Sequence, residues 1–119
     1  MTECLAQSDV KALGESALSE IDRQISSLPP ALCLPFYEAA SKMETELLAL
    51  YRMVAMLARK EENLEKVALW WGSMVAQCDR YAARLLSLSQ AHPNCGAEIF
   101  YDRVLDLRNK CQRLQQMHS

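Results

Sequence analysis

Between Phe36 and Leu57 an apolar residue recurs at every third or fourth position without a miss: Phe36, Ala40, Met43, Leu47, Leu50, Val54 and Leu57. An α-helix gathers such a series into one stripe, because 3.6 residues complete a turn. A second series, Tyr37, Leu48, Tyr51, Ala55 and Ala58, runs beside it. The combined face is wider than a single neighbour needs, which predicts a helix that touches two others. The same alternation returns in Leu64, Val67, Trp71, Met74, Cys78, Tyr81, Leu85 and Leu88, widened by Ala68, Val75 and Ala82.

These two stretches are separated by Arg59-Lys60-Glu61-Glu62-Asn63. Asn63 suits a helix N-cap and the two basic residues suit a helix C-terminus, so helices over 35–61 and 64–90 joined by a tight turn are expected. Neither Gly nor Pro marks that turn. The alternative is one uninterrupted helix over 35–90, roughly 84 Å long at 1.5 Å per residue, which base rates for helix length disfavour.

A shorter helix is expected on each side. Residues 9–28 carry Val10, Leu13, Ala17, Ile21, Ile25 and Leu28 on one face, with Ser8 or Asp9 as cap. Two prolines, Pro29 and Pro30, stop it. The linker that follows is apolar, so Leu32 and Leu34 are expected to pack down onto the bundle. Pro35 is tolerated in a helical first turn. Residues 90–96 read as a loop, with Pro93, Asn94 and Gly96 as turn formers. Residues 96–117 follow as a fourth helix, with Phe100, Val104, Leu107, Cys111 and Leu114 inward and Ile99, Tyr101 and Leu105 beside them. At 119 residues the whole is one domain's worth. The expected fold is an all-α, antiparallel bundle of about four helices around a long central hairpin.

Composition narrows the function more by exclusion than by assignment. The net charge of −2 lacks the basic excess that phosphate neutralisation demands of a nucleic-acid binder. Met1-Thr2-Glu3-Cys4 begins no basic-then-apolar leader, so no secretory signal is expected, and no run is apolar enough to span a bilayer. The five cysteines, Cys4, Cys33, Cys78, Cys95 and Cys111, are odd in number and widely spaced. That argues against a disulfide framework and for a reducing cytosolic or nuclear compartment.

The chemistry-bearing residues are sparse. Of two histidines, His92 precedes Pro93 in the loop and His118 is next to the last residue. His92 is expected in solvent. His92 and Cys95 share a ligand-like spacing, but zinc would need two more ligands from distant sequence, among Cys33, Cys4 and Cys111. Cys95 stands just before the fourth helix, where backbone amides favour a thiolate, so a redox-sensing cysteine is one alternative and an incidental thiol the plainer one. Cys78 and Cys111 fall in the seams as small core residues. Arg103, Arg108, Lys110 and Arg113 form a basic stripe on the last helix. With Asp102 and Asp106 beside it, a solvated face is favoured over a nucleic-acid surface. No catalytic set, glycine-rich loop or ligand cage is present, so neither an enzyme nor a metal, cofactor or small-molecule substrate is expected.

What remains is apolar surface. Met53, Met56 and Leu69 lie off the seams. Trp70, next to Trp71, sits at a seam edge and serves either the core or a partner. If the chain folds back near Asn63, Met56 and Leu69 become neighbours, with Met53 and Trp70 close by. Such a patch marks a partner surface. The expected function is therefore a helical protein–protein interaction module, either an adaptor, a subunit of a larger assembly, or a homodimer. A small redox or metal protein using Cys95 and His92, and a nucleic-acid binder using the last helix, are the alternatives.

Overall fold

The computed structural model describes residues 7–28 and 33–118. Over these described residues it is all-α, with four helices: α1 (Gln7–Ser26), α2 (Cys33–Ala58), α3 (Leu64–Ala91) and α4 (Ala97–His118). The hairpin turn at 59–63 is real, so the single-long-helix alternative is discarded. Its closure needs neither Gly nor Pro. Backbone N–H groups of Lys60 and Glu61 turn back onto the carbonyls of Leu57 and Ala58. The Asn63 side chain caps α3 by accepting from the N–H groups of Glu65 and Lys66. Glu61 accepts from the Asn63 N–H at 3.3 Å and pairs with Lys66 at 3.4 Å. The Asn63 N–H, and then Lys66, hold its carboxyl below the usual range.

The other boundaries differ by one to three residues. α1 begins at Gln7, ahead of the expected cap, and the Ser8 side chain lies outside the described residues. It ends at Ser26, where the hydroxyls of Ser26 and Ser27 donate to the carbonyls of Arg23 and Gln24 and so satisfy orphan acceptors. α2 starts two residues before Pro35, leaving the proline inside the first turn. Leu32 lies outside the described residues. Leu34 does not pack down as expected: it is 65% exposed, because α2 already runs here and turns it outward.

The helices alternate in direction, and α1 and α4 lie on opposite sides of the α2–α3 pair without touching each other. The result is a flat slab, 51 × 29 × 16 Å between Cα extremes. α3 occupies the middle and is buried over more than half its circumference. Val67, Trp71, Cys78 and Ala82 are buried along one side of its stripe; Trp70, Ser73 and Gln77 along the other. The α2 seam is buried from Phe36 to Val54, as its spacing requires, while Leu57 is half-buried. In α3 the series holds except at Leu64, which is exposed at the tip.

Along α1 the expected Val10 and Ile21 are buried, and Ile25 and, past the helix end, Leu28 pack on the core, but between Val10 and Ile21 it is Gly14 and Leu18 that turn inward in place of Leu13 and Ala17. Leu13 is 49% exposed. Gly14 faces the core because α1 crosses close to α3 there. The Tyr81 hydroxyl donates to the Gly14 carbonyl at 2.7 Å, and a Cβ on Gly14 would overlap the Gln77 side chain. Arg80–Glu15 (3.0 Å) and Arg84–Asp22 (2.7 Å) continue the contact at the surface.

Candidate functional site

The apolar residues singled out from the sequence do not form one patch. Trp70 is 3% exposed and belongs to the core, with the Lys66 ammonium over its ring. Met56 and Leu69 are exposed, at 54% and 52%, but in different directions. Val54 and Val67 point into the core. Met56 and Leu69 each follow by two residues, about 200° further round, and so stand on the backs of their own helices. Residues equidistant from a hairpin turn meet only on the faces that the two helices share.

Met53 goes elsewhere, into a cleft between α1 and α2 of about 200 Å³. Leu13, Gly14 and Ala17 of α1 and Ala49, Leu50 and Met53 of α2 line it, with Glu46 at its rim and Tyr81 behind. The Tyr81 hydroxyl is held above its usual range by burial first, and then by Glu46 and Asp22. Met56 stands one turn beyond Met53 on the same outer side of α2. An apolar strip therefore runs from Leu13 and Ala17 across Ala49 and Met53 to Met56. Leu13 and Ala49 were not expected here. Leu13 was assigned inward because glycine has no hydropathy of its own, which hid Gly14 as the inward position.

A second constellation lies at the opposite end. Cys33, in the first turn of α2, and Cys95, in the α3–α4 loop, form a disulfide across 62 residues of sequence. This corrects the expectation of free thiols and is at odds with a reducing compartment. Among the described residues no helix is long and apolar enough to cross a membrane. His92 is not in free solvent either: its ring stacks on Phe36 with centroids 3.7 Å apart. It caps α3 through its own N–H to the Leu88 carbonyl at 2.9 Å. The loop reverses through Asn94 (φ 68°) and Gly96 (φ 91°). Gly96 is required twice, since Tyr37 also lies against it: a Cβ there would come within 2.8 Å of the ring. Tyr37 in turn meets the edge of Phe100, centroids 5.2 Å apart. Cys33 is exposed, whereas Cys95 is half-buried and packed on the core. Sulfurs joined to each other offer no thiolate to a metal, and among the described residues no group of three or more His, Cys, Asp or Glu is placed to hold one.

Cys78 and Cys111 are both fully buried and meet across the α3–α4 interface. The hydrogen bond with Cys111, and then burial, hold the Cys78 thiol well above the ordinary range. These two behave as the small core residues expected of them. On the last helix, Arg103 pairs with Glu44 and Arg108 with Asp79, each at 2.6 Å, and Lys110 lies over the Tyr51 ring at 5.0 Å. Three of the four basic residues are thus turned to neighbouring helices. No family model matches the chain, and comparison with curated proteins and with solved structures found no significant match.

Proposed function

We propose that the chain is a non-catalytic helical protein–protein interaction module whose partner surface is the apolar strip of the α1–α2 cleft. What supports the reading is the uncovered outer face of α2. α1 forms only one wall of the cleft and leaves Met53 half-buried, while Ala49 and Met56 stay exposed on the outer side of α2. Burying such side chains is worth about 1.5–3 kcal/mol each when fully withdrawn from water, enough for a few of them to hold a partner. A symmetric homodimer is the commonest way to cover a self-complementary strip, and an adaptor or assembly subunit uses the same surface. The engaged basic residues of α4 speak against the nucleic-acid alternative.

Leu13→Glu combined with Met56→Glu tests the reading, since both positions are exposed and tolerate charge without unfolding the bundle. Sedimentation at micromolar concentration reports self-association. Capture from the source organism's extract, wild type against variant, reports a heteromeric partner. The double change abolishes the dimer or the captured partner while circular dichroism stays helical. A monomeric chain whose partner binding is indifferent to both substitutions overturns the proposal.

One observation favours a second reading, a redox-responsive helical protein. Cys95 is paired, and its disulfide joins two elements at the molecular surface.

A further inference from the structure

We propose that Cys33–Cys95 is a polar thiol–disulfide exchange site, in which an incoming thiolate attacks Cys33 and Cys95 leaves. This deepens the redox reading and rests on it. The two sulfurs are not equivalent. Cys33 is exposed on the first turn of α2. Cys95 is half-buried against the core, and the Tyr37 ring lies over Gly96, the residue next to it. Exchange proceeds by attack of a thiolate on one disulfide sulfur, which expels the other as thiolate, and access decides which sulfur is struck. Here access selects Cys33. The expelled Cys95 thiolate is set free in the loop two residues ahead of α4.

The step balances without a further reactant. A thiolate RS⁻ forms the RS–S bond to Cys33 as the Cys33–Cys95 bond breaks, and the electron pair of that bond stays on Cys95. A second thiolate on the attacking molecule, or a second molecule, then displaces Cys33 as thiolate. The bridge has gained two electrons, and the two attacking thiols have become a disulfide. The class of reactant is therefore a dithiol protein or a low-molecular-weight thiol. Exchange needs no unfolding, because the joined elements are also held by side-chain packing. Phe36 stacks on His92, and Tyr37 meets Phe100, on either side of the bridge. Cys78 and Cys111, fully buried, stay outside the chemistry.

Two probes separate the sources of thiolate: reduced glutathione, and a protein dithiol of the Cys-x-x-Cys type. The oxidised full-length chain is treated with each in native buffer, free thiols are trapped with an alkylating reagent, and the products are mapped by mass. Expected are two newly labelled cysteines, Cys33 and Cys95, with Cys78 and Cys111 unlabelled and helicity retained. The glutathione intermediate should lie on Cys33 at least tenfold more often than on Cys95. As an independent arm, Cys95→Ser should take glutathione from its oxidised form at least tenfold faster than Cys33→Ser. Whichever probe opens the bridge faster identifies the source. Glutathione distributed equally, or mainly on Cys95, overturns the polarity while leaving a redox role intact. A bridge that neither probe opens, except in denaturant that unfolds the whole chain, overturns both.

Discussion

Removing the Cys33–Cys95 bridge should cost stability without changing the fold. In the chain-entropy treatment, closing a loop lowers the entropy of the unfolded ensemble by about 2.1 + 1.5R ln n cal/mol/K. With a separation of 62 residues, this comes to about 14 cal/mol/K, or about 4 kcal/mol at 25 °C. The native state loses little in comparison, because ring contacts on both sides of the bridge remain. For a domain of this size the loss lowers Tm by on the order of 15 °C. Cys33→Ser with Cys95→Ser is the cleaner perturbation, since neither partner of the bridge is left behind as an unpaired thiol. Urea unfolding followed by circular dichroism, on the oxidised chain and on the double variant, measures the difference. The slope against urea should rise in the variant, whose unfolded state is freer to expand. Unfolding free energies in water that agree to within about 1 kcal/mol would refute the reasoning: they would mean that the unfolded chain keeps these two segments together without the bond.

Gly14→Ala sets two effects against each other. Helix propensity favours Ala by roughly 0.5–1 kcal/mol, but the new Cβ overlaps the end of the Gln77 side chain, which must shift within the core where it is buried. Overpacking of that kind costs about 1–3 kcal/mol, so the variant should be destabilised by about 1–2 kcal/mol in urea; a stabilised variant would show that α1 moves freely against α3. Tyr81→Phe removes the hydroxyl bond to the Gly14 carbonyl and should cost about 1 kcal/mol at pH 7. The folded pKa of Tyr81 is raised, first by burial, so its protonated form is the one favoured by folding. The stability it supplies is complete below the unfolded value of about 10 and is lost as pH rises above it. The gap between wild type and variant should therefore close near pH 11 in alkaline urea titrations, and a gap constant to that pH would count against the assignment.

The helices were legible because burial and periodicity are the same fact seen twice. Phe36 to Val54 and Val67 to Leu88 carry an apolar residue at every step of the three–four series, so the stripe is unambiguous even though Ser73 and Gln77 are buried beside it. The Asn63 cap was legible for a local reason: its side chain needs only the two N–H groups that follow it. α1 was less legible. Val10 can be continued through Leu13 and Ala17 or through Gly14 and Leu18, and hydropathy prefers the first path. The protein takes the second, because α1 approaches α3 closely at Gly14, and that approach is a property of the helix pair. Trp70 failed for a related reason. An edge position is exposed beside one neighbour and buried beside two, and α3, in the middle of the slab, has three.

The candidate sites depended on contacts beyond the reach of periodicity. Reflection about the turn at Asn63 gives the correct partners only for residues on the shared face of the hairpin, as with Tyr51 and Trp71, whose rings lie 5.4 Å apart. Applied to Met56 and Leu69 it joins two outer faces that point apart. The strip that does exist needs α1 as its second wall, and Leu13 and Ala17, which form that wall, were read as inward. The disulfide, by contrast, was within reach. In an up-and-down bundle the start of α2 and the end of α3 lie at the same end. Cys33 and Cys95 stand at those two points, while Cys78 and Cys111 lie well inside their helices. An odd cysteine count describes the chain as a whole, whereas pairing depends on which helix ends the topology brings together. For a four-helix chain of this kind, the position of each cysteine relative to the helix ends is therefore a better guide to pairing than the number of cysteines.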